Sequence, residues 1–124
     1  MTHRTILVPG NDHPITIRTC ASRVVVGRGS VRVAETRAAV TLAEASYPPV
    51  QYIPRRDVDM TLLERSDLTT YCPYKGDANY YSIPALGDAG VNCVWTYETP
   101  FEAVSEIAEY LAFYPDRVTC ERAD

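Results

Sequence analysis

The densest chemistry in the chain is the stretch Tyr71-Cys72-Pro73-Tyr74-Lys75-Gly76-Asp77-Ala78-Asn79-Tyr80-Tyr81, which holds four aromatics, a lysine, a cysteine and a carboxylate in eleven residues. Lys75 is the only lysine among twelve basic residues, the other eleven being arginine. On a glycine-containing turn such a lysine is either a compact, rotatable donor for an anion or a carbonyl, or an amine whose pKa falls on burial, or simply a solvated charge. Cys72 lies three residues before it across a proline, where an ammonium can approach the sulfur and favour a thiolate nucleophile. A free cysteine also serves as a small apolar filler, so both uses stay open.

Trp95, the single tryptophan, belongs to a strand pattern in which Val91, Cys93, Trp95 and Tyr97 share one face and Asn92, Val94 and Thr96 the other. It is either a core anchor whose indole N–H needs one acceptor or part of a ligand wall. Tyr80, Trp95 and Tyr97 on one concave face offer flat surfaces for a planar ring or a cation. Arg55 and Arg56, after Tyr52-Ile53-Pro54, form a planar fork for a carboxylate or phosphate, or else a solvated pair. Asp57 and Asp59 read as caps of helical turns in preference to a metal-binding pair. His3 and His13 lie outside every expected rigid element, which disfavours histidine general-base chemistry. Cys20, Cys72, Cys93 and Cys120 contain no C-x-x-C spacing, so free thiols are expected, with no metal and no cofactor.

The chain that must position these groups has 124 residues, 46% of them hydrophobic and 23% charged, which suits one globular domain. A net charge of −4 supplies no positive field for nucleic acid or an anionic membrane. No stretch approaches the roughly 20 apolar residues that span a bilayer, and the amino terminus does not resemble an export signal, so a cytoplasmic protein is expected.

Residues 1–13 read as a loose arm, 14–120 as the domain and 121–124 as a tail. Strands are expected at Ile15 to Arg18, then in a hairpin of Arg23 to Val26 and Val31 to Ala34 around Gly27-Arg28-Gly29-Ser30, then at Ala38 to Ala43 and Gln51 to Ile53. The Gly-x-Gly of the hairpin lacks the third glycine and the helix of a dinucleotide loop. Asp57 to Arg65 has room for one or two helical turns, started either by Asp59 or by a Thr61-Leu62-Leu63-Glu64 capping box. Further strands are expected at Thr69 to Tyr71, Ala78 to Ile83 and Val91 to Tyr97. Thr99-Pro100-Phe101-Glu102 then carries cap, first-turn proline and glutamate for a helix over about Pro100 to Tyr110, with Val104, Ile107, Ala108 and Leu111 as its apolar stripe. Leu111 to Tyr114 and Val118 to Cys120 look extended. The pattern is that of a mainly β fold, mostly antiparallel, closed on one side by a helix.

Four ordered motifs resemble those of the domain-of-unknown-function family 427, small bacterial and fungal proteins sometimes labelled a nucleotidyltransferase domain. They are Ser46-Tyr47-Pro48-Pro49-Val50-Gln51-Tyr52-Ile53-Pro54-Arg55, Tyr71-Cys72-Pro73-Tyr74-Lys75-Gly76-Asp77-Ala78, Val94-Trp95-Thr96-Tyr97-Glu98-Thr99-Pro100 and Leu111-Ala112-Phe113-Tyr114-Pro115. The resemblance runs from about His13 to Val118. It implies a β-tent-like fold, two antiparallel sheets meeting at an angle with a cleft between them, and carries over Tyr52, Arg55, Lys75, Tyr80, Trp95 and Tyr97 as cleft residues. Where the family often has a histidine before the two threonines that precede its Tyr-Cys-Pro motif, this chain has Leu68. The chain lacks a Gly-Ser motif with paired aspartates disposed to hold magnesium and a triphosphate, which sets the nucleotidyltransferase label aside.

The expected function is binding of a small planar or anionic molecule in an aromatic cleft, with Lys75 and Arg55 at its polar end. The alternatives are a metal-independent enzyme, acting on a carbonyl through Lys75 or a tyrosine with Cys72 as a further candidate, and a protein-interaction module. A homodimer stays open.

Overall fold

Alternation of apolar and polar side chains drives most of the chain into short antiparallel strands. The computed structural model describes residues 4–123 and contains ten strands among them; His3 and the outer ends of the expected arm and tail lie outside the described residues. The strands are β1 (Ile15–Cys20), β2 (Val24–Arg28), β3 (Val31–Thr36), β4 (Ala39–Glu44), β5 (Val50–Tyr52), β6 (Glu64–Cys72), β7 (Gly76–Ser82), β8 (Val94–Thr96), β9 (Leu111–Phe113) and β10 (Thr119–Arg122). The fold is mainly β, as the sequence predicts.

The strands form three antiparallel sheets, ordered β1-β4-β5, β10-β2-β3 and β6-β7-β8-β9, where the resemblance implies two. Two of the three are stitched together by one residue pair. Ile53 and Leu111 exchange both backbone hydrogen bonds at 2.8 Å, so the end of β5 runs into the edge strand β9. The third sheet is tied in through Ala34 opposite Val58 and the Asp59 N–H on the Val33 carbonyl, 2.7 Å.

The expected hairpin is β2 and β3. Gly29 turns with a left-handed φ of 59°. A Cβ on Gly27 would lie 2.4 Å from the Val31 carbonyl oxygen, so the bulge between Val26 and Gly27 admits only glycine. Asp59 accepts from the Thr61 N–H and caps a single 3-10 turn, Met60–Leu62, while Glu64 opens β6 instead of closing a capping box. Asp57 accepts the Thr36 hydroxyl at 2.6 Å.

The C-terminal helix is the main departure. In place of an α-helix over Pro100 to Tyr110, the chain forms a 3-10 segment, Glu102–Ile107, broken at Val104 (φ −127°, ψ 30°) and with no side-chain cap at its start. The cause is tertiary. At one end the Phe101 N–H is taken by the Lys75 carbonyl at 3.0 Å; at the other the Glu109 N–H is taken by the Tyr97 carbonyl at 2.9 Å. Glu109 reaches that carbonyl with a left-handed φ of 64°. Both anchors pull the backbone off an α path, yet Val104 and Ile107 still bury completely.

Two apolar clusters result. One joins Val24, Val26, Val33, Ile53, Ile83, Val94, Leu111 and Val118; the other joins Val40, Leu42, Tyr52, Ala78, Tyr80, Tyr97, Val104 and Ile107. Alternate residues of β8 serve both, Val94 facing the first and Trp95 the second, so this strand is covered on both sides. The strand is shorter than the expected Val91 to Tyr97: Asn92 takes a left-handed φ of 52°, which leaves Val91 exposed and puts Cys93 in the first cluster beside Val94, so of the expected face only Trp95 and Tyr97 stay together, with Thr96 fully buried between them. No helix among the described residues is long and apolar enough to cross a membrane.

Candidate functional site

The second cluster is incompletely filled. A cavity of about 240 Å³ opens between β4, β5, β7 and β8. Register explains its aromatic wall: Tyr80 on β7 sits directly opposite Trp95 on β8, so their rings project on the same side of the sheet. Tyr52 closes the corner from β5. The Trp95 indole N–H donates to the Tyr52 hydroxyl oxygen at 3.2 Å, and the two rings meet edge to face with centroids 6.3 Å apart. Tyr114 leans on the other side of Trp95 with centroids 4.7 Å apart. Leu42, Val50, Tyr97 and the lip Tyr47-Pro48 complete the apolar lining.

Lys75 provides the polar end. It stands on the turn between β6 and β7, closed by its own N–H on the Cys72 carbonyl (3.2 Å) and by the positive φ of Gly76. Its side chain is only 9% exposed, and its ammonium pairs with Glu44, 16% exposed, at the end of β4. The second oxygen of Glu44 lies 2.8 Å from His13 Nε2, and the His13 ring stacks flat on Tyr74, centroids 3.9 Å apart. A chain of charge and hydrogen bonding, His13–Glu44–Lys75, thus runs into the cavity from the N-terminal segment. Of the three ammonium hydrogens one is spent on Glu44; the others have no partner among the described residues.

Of the residues expected in a cleft, Tyr52, Lys75, Tyr80, Trp95 and Tyr97 line this one cavity, and Arg55 does not. The 3-10 turn Arg55–Asp57 directs its guanidinium to the Tyr81 hydroxyl, 3.3 Å away, on the opposite face of the sheet from Tyr80. That hydroxyl also accepts from Arg65, which pairs with Glu98 at 2.9 Å. Cys72 packs against the second cluster without lining the cavity, and the ammonium expected beside its sulfur points to Glu44. The cysteines are all free; burial pushes the Cys120 thiol up to about 11 and raises that of Cys93. Among the described residues no three His, Cys, Asp or Glu side chains converge as a metal site would require.

Three participants escaped the sequence. Glu44 left a signal, because it continues the inward-facing series Val40 and Leu42 along β4, and a carboxylate at the end of an apolar strand face needs a partner. His13 left none, since nothing local indicates stacking on Tyr74. Tyr114 is brought in by the turn after β9.

Burial pushes the Glu44 carboxyl upward, but the hydrogen bonds from Lys75 and His13 outweigh it and hold the group below the usual glutamate range. Burial raises the Tyr52 and Tyr97 hydroxyls well above the ordinary tyrosine value. Each change has a definite sign. For Glu44, with a folded pKa below the unfolded one, the stability gained is present above the unfolded value of about 4.3 and is lost as pH falls through the folded value. The raised tyrosines act oppositely, withdrawing stability as pH climbs above about 10. Urea unfolding followed across pH is expected to weaken at both ends, and Glu44→Gln should flatten the acid arm while leaving the alkaline arm in place. An acid arm of unchanged steepness in that variant would show that other carboxylates carry it.

Residues 16–124 match the family described as Domain of unknown function (DUF427). No curated protein matches the chain.

Proposed function

The chain belongs to the DUF427 family, and we propose that it binds a small planar organic molecule with a carbonyl group in the aromatic cavity. Lys75 and the Tyr97 hydroxyl hold the polar end, and Tyr80 and Trp95 flank the ring. The observation that carries this reading is a lysine ammonium with donors to spare, nearly buried among aromatic side chains at the closed end of a cavity. The Tyr97 hydroxyl likewise has no hydrogen-bond partner among the described residues. A neutral carbonyl suits the site better than an anion, because Glu44 already balances the lysine charge and would repel a second carboxylate. Binding is favoured over catalysis by the state of the hydroxyls: burial raises Tyr52 and Tyr97 well above the ordinary tyrosine value, so near neutral pH they can donate a hydrogen bond but are poorly matched to giving up or taking a proton.

Benzamide and related planar amides provide the test, with the fluorescence of Trp95 and thermal shift as readouts. Saturable binding is expected. Lys75→Met should weaken it about tenfold and Tyr97→Phe about fivefold, the usual cost of a charged and a neutral hydrogen bond. Arg55→Gln should leave the affinity unchanged. Absence of saturable binding, or an equal loss in Arg55→Gln, would overturn the proposal.

A further inference from the structure

The cavity has a neighbour. A trough of about 390 Å³ lies beside it, and the two share Tyr47, Pro48, Val50 and Trp95. The trough extends over Pro49, Gln51, Phe113 and Pro115 to Cys120. Resting on the preceding proposal that the cavity takes a planar carbonyl head, we propose that the trough takes a hydrocarbon arm of the same molecule. The natural ligand class is then an amphipathic small molecule, a planar carbonyl head with an apolar arm laid across Trp95.

Four observations support the arm. First, the trough contains no acid, arginine, lysine or histidine, and its single thiol is held protonated by burial. Second, three of its lining residues are prolines, Pro48, Pro49 and Pro115. A proline has no backbone N–H, so this wall can lie against hydrocarbon without stranding amide donors. Third, the junction is a lip and not a partition: Tyr47 is 65% exposed and belongs to the segment before β5 that is outside every strand ladder. Fourth, size decides between a head alone and a longer molecule. The cavity, at about 240 Å³, falls short of the roughly 300–1,000 Å³ typical of ligand sites, and the trough brings the combined volume into that range. The polar end of the combined site is closed by Lys75 and Glu44, and the far end is apolar, which sets the direction of the molecule.

The test compares benzamide with 4-butylbenzamide by calorimetry, on the full chain and on Pro115→Glu and Gln51→Glu, two substitutions that touch the trough and not the cavity. On the unmodified chain the butyl group should tighten binding by about tenfold or more, as burial of several methylenes does. Either glutamate should reduce that advantage to below about threefold, because a carboxylate beside an alkyl chain must be desolvated, while benzamide alone binds as before. Benzamide binding without any gain from butyl would overturn the arm and leave the head site standing. A butyl gain that responds to the trough substitutions but not to Lys75→Met would support the trough and overturn the head site. Failure of both probes would overturn both.

Discussion

Glu44→Ala is expected to lower the unfolding free energy by roughly 3 kcal/mol, the lower end of the range for breaking a buried ion pair by removing one partner. The side chains of Lys75 and Glu44 are 9% and 16% exposed, so the stranded ammonium has little water to turn to. His13 loses its hydrogen bond in the same stroke. The lower end of the range applies because neither side chain is completely buried. Urea unfolding measures the loss. The double variant Glu44→Gln with Lys75→Met removes both charges and should recover more than half of it, since desolvated charge and not lost attraction dominates the cost. A single-variant loss under about 1 kcal/mol, the value for an exposed pair, would mean that the pair is solvated and that Lys75 does not close the cavity as described.

The second large effect concerns binding. Trp95→Leu should weaken benzamide binding by about tenfold or more, because the indole is at once a flat wall and the donor that orients the Tyr52 hydroxyl. It also packs against Tyr114, so a drop in thermal stability accompanies the loss of affinity. Trp95→Phe separates the two roles. A phenyl ring keeps a flat face but has no N–H, so this variant should retain part of the affinity while Tyr52 loses its partner. The fluorescence readout disappears with the tryptophan, and calorimetry has to replace it. Equal affinity across the unmodified chain and both variants would remove Trp95 from the binding wall.

The strands were legible because a residue in a half-buried strand is selected by its own two faces. Ile15, Ile17, Val24, Val26 and the series Val40, Leu42 announce their sides with no knowledge of partners. The hairpin was legible for a related reason: Gly27 and Gly29 occupy positions that a Cβ would obstruct or strain, and such requirements act over a few residues. The same local logic fails for the expected C-terminal helix. Thr99, Pro100 and Glu102 meet every local rule for an α-helical start, yet the Phe101 and Glu109 N–H groups donate to the Lys75 and Tyr97 carbonyls, which claim the segment's two ends and leave it 3-10.

Within the site, the aromatic wall was partly legible. Tyr80 and Trp95 fall on strands whose alternation can be read, and the register of those strands sets them side by side; Tyr97 follows just past the end of β8, in an isolated bridge to Ala108. Arg55 shows the limit. A 3-10 turn after Pro54 decides which face of the sheet its guanidinium reaches, and that choice is not written in the residue types around it.

From residue types and spacing alone came a mainly β chain, its hairpin and the approximate places of most strands, though not the early start of β6 at Glu64 or the late start of β8 at Val94, and a concentration of aromatic side chains around one lysine. Steric and hydrogen-bonding preferences acting within a few residues are enough to dictate these. Only the folded molecule decided which charges meet. His13 and Glu44 are 31 residues apart, as are Glu44 and Lys75, and their encounter depends on sheets closing on one another. The ion pair's strength comes from exclusion of water, which no single segment produces, so the chemistry of the cavity exists only once the sheets have packed.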